Sequence, residues 1–123
     1  MAIVTPTVTD VSGDGSTFLI SWNLTTANHT GAYIDASTYA DRTAFFESVA
    51  WGGATAAVEG AMFTTGAFLG LADIQGTAIS KSANGVENII ELTRYVQPRL
   101  TTVGTAAAVT VSMMVRRATP LRT

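Results

Sequence analysis

His29 is the only histidine in the chain, so any Ser-His-Asp relay would have to run through it. It sits among Thr26, Ala27, Asn28 and Thr30, a loop-like stretch, and Asp35 is the nearest carboxylate in sequence that could orient its ring. No Gly-x-Ser-x-Gly elbow offers a nucleophile, so His29 reads as a solvated loop residue. One histidine and no cysteine exclude the usual zinc ligand sets. Asp10 and Asp14-Gly15 match part of a calcium loop, but the remaining acidic positions are missing. An Asp-Gly hairpin turn accounts for them more simply. Among the nine carboxylates, Glu47, Glu59, Glu87 and Glu91 could pair across strands as a glycosidase acid and base. A chain of 123 residues gives little scaffold for a sugar cleft, so rim carboxylates are the better reading. There is no P-loop and no dinucleotide fingerprint. Asn23-Leu24-Thr25 and Asn28-His29-Thr30 match the glycosylation sequon; with no secretion signal expected, both matches are expected to be accidental. The expectation is a protein that is not an enzyme, with no cofactor and no metal.

The basic residues carry a different message. Five of the seven lie after residue 90: Arg94, Arg99, Arg116, Arg117 and Arg122. On adjacent strands they would form a basic patch. With few aromatics beside them and a net charge of −2, pairing with carboxylates at a protein contact is favoured over nucleic acid.

These groups must be positioned by strands. Turn signals recur at Gly13-Asp14-Gly15, Gly52-Gly53, Gln75-Gly76 and Asn84-Gly85, with short β-rich runs between them, which points to a sandwich or barrel. Residues 3–11 alternate but contain Pro6, which cannot donate to a ladder, so they form an edge strand or an extended arm. In residues 17–24, Phe18, Ile20, Trp22 and Leu24 share one face. Residues 44–51 contain a strand in which Phe45 and Phe46 face opposite ways, with Tyr39, Phe45 and Val49 expected inside and Asp35, Ser37 and Asp41 outside. A further strand covers 54–59, and a hairpin about Gln75-Gly76 joins 68–72 to 77–80. Residues 86–92 favour a strand over two helical turns, because they are β-branched and follow Asn84-Gly85. Residues 94–100 follow, interrupted by Pro98. The last run places Val109, Val111, Met113 and Val115 opposite Thr110, Ser112 and Met114. The whole is one domain, residues 1–123, with residues 118–123 a polar tail.

Charge is unusually scarce. Asp, Glu, Lys and Arg make up 13% of the chain, while 47% is hydrophobic; ordinary soluble domains carry about 25% charged residues. A surface so thinly charged is expected to be covered by a partner or by further copies, the alternative being a Thr/Ser-coated β-domain that is simply weakly charged. No run of about eighteen apolar residues predicts a membrane span. The N-terminus lacks the basic stretch and long apolar core of a signal peptide, so synthesis in the cytoplasm is expected.

Segments spread over most of the chain resemble the small decoration (cement) proteins of tailed-bacteriophage capsids. They are residues 2–8 (Ala-Ile-Val-Thr-Pro-Thr-Val), Trp22, residues 39–43 (Tyr-Ala-Asp-Arg-Thr), 52–55 (Gly-Gly-Ala-Thr), 58–60 (Val-Glu-Gly), 73–78 (Asp-Ile-Gln-Gly-Thr-Ala), 95–100 (Tyr-Val-Gln-Pro-Arg-Leu) and 115–117 (Val-Arg-Arg). One departure matters. Where a polar turn would follow Glu59-Gly60, this chain has Ala61-Met62-Phe63-Thr64-Thr65-Gly66, apolar enough to meet another surface. The resemblance implies an antiparallel β-sandwich, jelly-roll-like or immunoglobulin-like, with an extended N-terminal arm. It implies a structural virion protein, made in the host bacterial cytoplasm, that binds the capsid exterior across capsomer junctions and stabilises the shell. Its partners would be the major capsid protein and itself, as a homodimer before a homotrimer, with neither nucleic acid nor membrane. Contact residues are expected in three places: Ile3, Val4, Pro6 and Val8 in the arm; Met62, Phe63 and Phe68 in the loop; and Arg94, Arg99, Arg116 and Arg117 toward the C-terminus. The competing expectation is a lectin-like or immunoglobulin-like virion module that grips host-surface glycans, with Trp51, Tyr33 and Tyr39 as stacking faces.

Overall fold

The computed structural model describes residues 2–117, so the expected tail at 118–123 lies outside the described residues. The described chain is all β, in two mostly antiparallel sheets packed as a sandwich. Twelve strands follow in order: β1 (Ile3–Val4), β2 (Thr7–Asp10), β3 (Thr17–Thr25), β4 (Thr30–Gly31), β5 (Ile34–Asp35), β6 (Tyr39–Ala50), β7 (Thr55–Ala61), β8 (Leu69–Gly70), β9 (Ser80–Lys81), β10 (Gly85–Asn88), β11 (Tyr95–Thr102) and β12 (Ala108–Arg117). One sheet runs β10-β6-β12-β3-β2. The other runs β1-β4-β11-β7-β8, with β5 also on β11 and β9 also on β7.

The long strands form where period-two alternation is cleanest. On β12, Val109, Val111, Met113 and Val115 are buried while Thr110, Ser112 and Met114 face outward. They interlock with Ile20, Trp22 and Leu24 of β3 and with Ala44 and Phe46 of β6. Val58, Val96 and Leu100 close the core from the opposite sheet. Trp22 is fully buried, and its indole N–H donates to Ala32 O at 3.0 Å, so the ring adds apolar contact without an orphaned donor.

Of the two alternatives for residues 3–11, the described chain takes the edge strand, and takes it twice. β1 pairs in parallel with β4, whereas β2 pairs with β3 in the other sheet. Pro6 lies in the break between them, where the chain changes sheets and no ladder donor is required. Pro98 is accommodated differently. It is buried in β11, a central strand opposite Val58. The Leu100 N–H donates toward the β4 side, to His29 O at 2.8 Å. By alternation, the donor that Pro98 lacks would point the same way. There the chain leaves β11 between Gly31 and Ile34, so no acceptor is waiting.

The phase of β6 corrects the expectation for Phe45 and Val49. Both are exposed, and Arg42, Ala44 and Phe46 are the buried set. The apolar side chains alone fit either phase; Arg42 settles it by finding partners inside. Gln75-Gly76 does turn an excursion, bridged at Ala72 and Ala78, although its arms are short and both β8 and β9 lie on β7. Asn84-Gly85 is not a positive-φ turn: Gly85 begins β10, and Asn84 Oδ1 accepts from Ser48 N and Trp51 Nε1, both at 2.9 Å. Gly52 does turn, at φ 58°, and a Cβ there would stand 2.1 Å from Thr105 O.

Candidate interaction surface

Four of the residues expected at contacts converge at one end of the seven-stranded sheet. Met62 and Arg94 line one shallow hollow with Ser37, Leu92 and Thr93. Phe63 follows Met62 and is 71% exposed, and Leu92 is equally exposed. Beside them is an aromatic cluster. Tyr33 stacks on Phe68 with ring centroids 5.8 Å apart, and meets Tyr95 edge-on at 5.2 Å. The Arg94 guanidinium lies over the Tyr95 ring at 5.0 Å. Phe68 comes from the excursion after β7, Tyr33 from between β4 and β5, and Tyr95 from β11. The cluster therefore ties the loop at residues 62–68 back to the sheet. A second hollow continues the surface, lined by Ile3, Gly31, Ala32, Tyr33 and Gln97. Leu69, also exposed, lies opposite Gly60 on the sheet edge.

The other expected contacts are placed differently. Ile3 and Val8 are exposed, but Val4 packs against the core and Pro6 is half-buried. Val8 is opposite Ile20 and on the inward side of its sheet; its exposure marks where the other sheet no longer covers it. Arg116 and Arg117 end β12, in the five-stranded sheet, away from the aromatic cluster.

The arginines do not form a free basic patch, because three of them pair within the chain. Arg116 Nε donates to Asp41 Oδ2 at 2.8 Å across β12 and β6. Arg94 approaches Asp35 at 3.7 Å. Arg99 reaches Glu59 through Nε at 3.0 Å and Nη2 at 2.8 Å, and the Gln97 amide donates to the second carboxylate oxygen at 3.1 Å. The hydrogen bonds that Arg99 donates to Glu59 hold it above its ordinary pKa, against a smaller desolvation effect. Glu59 is buried on the outward side of β7, with both carboxylate oxygens hydrogen-bonded in an ion pair within the sheet.

The remaining candidates for chemistry are likewise apart. Glu87 pairs with Lys81 at 2.6 Å, Glu91 accepts from the Ala72 backbone N–H, and Glu47 is exposed. His29 is half-buried between β3 and β4. Asp10 and Asp14 staple their own turn. Asp10 accepts from the backbones of Ser12, Gly13 and Gly15 and the Ser12 hydroxyl, while Asp14 accepts from the Ser16 backbone and hydroxyl. Hydrogen bonds from Ser16 and Ser12 lower the Asp14 pKa to about 2. For Asp10, desolvation acts upward, but the combined hydrogen bonds win and its pKa is also lowered. Among the described residues, no three His, Cys, Asp or Glu side chains are grouped to hold a metal ion. The aromatics suggested for sugar stacking do not form one platform. Trp51 packs against the core and donates to Asn84, Tyr39 meets Phe18 edge-on, and Tyr33 belongs to the cluster above.

One residue at this end was not anticipated. Arg42 is only 3% exposed and, among the described residues, has no carboxylate partner. Its guanidinium donates to four backbone carbonyls: Ala36 at 2.7 Å, Thr93 at 3.0 Å, Tyr39 at 3.3 Å and Glu91 at 3.4 Å. Burial lowers its pKa. The fork clasps residues 36–39 to residues 91–93, the segments that carry Ser37, Leu92 and Thr93 into the first hollow. The available signal was its phase: Arg42 shares the inward alternation of Ala44 and Phe46.

Comparison with protein-family models, with curated proteins and with solved structures finds no match in any of the three.

Proposed function

We propose that the chain is a structural decoration protein of a tailed-phage capsid, bound to the outside of the shell across capsomer junctions. The observation that carries the reading is the exposed apolar end of the seven-stranded sheet, where Phe63, Met62 and Leu92 stand open beside the Tyr33 cluster. Contiguous apolar surface of this kind marks a contact site. The cluster and the Arg42 clasp hold it in shape before any partner arrives, which lowers the ordering cost of docking. The scarcity of charge across the chain supports the same reading. So does the resemblance of its segments to capsid decoration proteins. A protein displayed in many copies reinforces a shell through repeated shallow contacts and needs no deep pocket. The partner would be the major capsid protein, and stabilisation would come from bridging adjacent capsomers.

The test is co-sedimentation with shells assembled from the major capsid protein of the same phage. Wild-type chain should pellet saturably, at a fixed number of copies per capsomer. The double variant Met62→Asp, Phe63→Asp should lose about tenfold or more in affinity, as expected when central apolar anchors are replaced by charge, with an unchanged thermal midpoint. Chain that stays in the supernatant at all concentrations refutes the proposal. If the same protein instead binds a defined sugar on a glycan array, host-surface attachment replaces shell binding as the function.

A further inference from the structure

β10 is an outer strand of the five-stranded sheet, and one of its edges carries no further strand. Its register on β6 matches Gly85 to Phe46 and Asn88 to Thr43, and the Ile89 N–H donates to Arg42 O at 2.9 Å. Alternation then turns the backbone groups of Gly85, Glu87 and Ile89 toward β6 and those of Val86 and Asn88 away from it. Among the described residues, no hydrogen bond satisfies the outward N–H and C=O groups of these two residues. Edge strands are usually blunted by lysine, proline or a bulge. Gly85-Val86-Glu87-Asn88 has neither residue, and its pairing with β6 runs without a register shift. Lys81 reaches Glu87 from β9, but Glu87 has the inward phase of Ala44, so that pair closes the sandwich and leaves the edge itself open.

The edge borders a hollow. The turn Asp73-Ile74-Gln75 lines one side of it, and Val86, Glu87 and Asn88 line the other. Asp73 Oδ1 holds the turn, accepting from the Gln75 N–H at 2.9 Å and the Thr77 N–H at 3.0 Å. Close by, the exposed Glu91 accepts from the Ala72 N–H with Oε1. Each carboxylate keeps a second oxygen, and neither makes a salt bridge among the described residues. The two cations of this neighbourhood are already engaged: Lys81 holds Glu87, and Arg42 is buried with its guanidinium on backbone carbonyls. What the hollow offers a visitor is therefore unpaired backbone on one wall, carboxylate oxygen beside it, and the exposed apolar side chains of Val86 and Ile74.

We propose that this edge takes an extended, basic peptide segment of a partner, which adds a strand to β10. The outward N–H and C=O groups of Val86 and Asn88 are spaced for an extended chain, and their pairing supplies the affinity. Side chains at alternate positions of the guest supply the selection. Asp73 and Glu91 favour lysine or arginine there and disfavour acidic residues. They also disfavour a second copy of β10 as the guest, since it would bring its own Asp73 and Glu91 against the first pair. None of the groups that make this site is Met62, Phe63 or Arg94, so the inference does not rest on the shell reading.

The end-blocked peptide Lys-Val-Thr-Val-Lys-Val tests this, titrated to ~1 mM against the isotope-labelled full chain and followed by amide NMR. It should bind saturably, with the Val86 and Asn88 amide signals shifting and their hydrogen exchange slowing. Val86→Pro deletes one outward donor at an exposed edge position, where proline is tolerated. Binding should then fall about tenfold while the thermal midpoint stays near that of wild type. Val86→Thr keeps the donor and should keep the binding. The same peptide with glutamate for lysine should bind about fivefold more weakly. Asp73→Asn with Glu91→Gln keeps both turn acceptors and should remove that difference. Absence of binding at ~1 mM overturns the proposal. So does binding that leaves Val86 and Asn88 unperturbed, that survives Val86→Pro, or whose preference for lysine the Asp73 and Glu91 variants leave intact. No shell takes part, so none of these outcomes touches the decoration role.

Discussion

Replacing Arg42 by methionine removes the clasp while keeping a long side chain in place. Four hydrogen bonds from a charged donor disappear, each worth about 1.5–3 kcal/mol net in other proteins. The sum overstates the loss. A buried cation without a carboxylate carries a desolvation cost of several kcal/mol, and methionine relieves it. Ala36 O keeps a second donor, the Tyr39 N–H at 3.1 Å. The carbonyls of Thr93 and Glu91 lose their guanidinium partner, at about 1–3 kcal/mol each for those left dry. The expected net loss is about 3 kcal/mol. At roughly 4 °C per kcal/mol for a chain of this size, the midpoint should fall by about 12 °C. Urea unfolding followed by tryptophan fluorescence measures the first quantity, and calorimetry the second. Arg42→Lys should recover only part of the loss, because an ammonium cannot fan four donors in a plane. Amide exchange in residues 90–94 should quicken in the methionine variant, since the clasp holds that segment. A loss below about 1 kcal/mol, or lysine performing as well as arginine, would refute the reasoning.

Arg99→Ala leaves Glu59 buried with only Gln97 to satisfy it. Because the Arg99 side chain is 40% exposed, the expected cost is discounted to about 1.5–3 kcal/mol, read by urea unfolding. Gly31→Ala would place a Cβ 2.7 Å from both Trp22 Cδ1 and Pro98 Cγ, so it should destabilise by at least about 1–3 kcal/mol and shift the Trp22 fluorescence. Acid should loosen the turn at residues 10–17. The lowered pKa values of Asp14, about 2, and of Asp10 mean that their contribution is complete above the ordinary carboxylate range and is lost as pH falls toward 2. Thermal midpoints between pH 5 and pH 2 should therefore decline less steeply in Asp14→Ala than in wild type.

Much of the fold was legible because its long strands alternate cleanly. The phase of β12 follows from Val109, Val111, Met113 and Val115, and that of β3 from Ile20, Trp22 and Leu24. Where the apolar pattern was two-sided, legibility failed. Phe45 and Phe46 allow either phase of β6, and the deciding residue is a buried arginine whose partners are backbone carbonyls distant in sequence. Composition cannot show that. The split of residues 3–11 into two sheets was hidden for a related reason: Pro6 marks an interruption but not where the chain goes next. Met62, Phe63, Phe68 and Arg94 were recognisable as contact candidates from their apolar or basic character in expected loops. That Tyr33 and Leu92 join them depends on cross-strand proximity, which one sequence does not encode locally. The pairing of Arg99 with Glu59 and of Arg116 with Asp41 turned an expected basic patch into internal ion pairs.

Electron cryomicroscopy of the assembled particle tests the central claim most directly. The proposal predicts density matching this sandwich at regular positions over capsomer junctions, with the Met62–Phe63 end facing the shell. A mature particle that contains the chain elsewhere, or carries no such density on its outer surface, would contradict it.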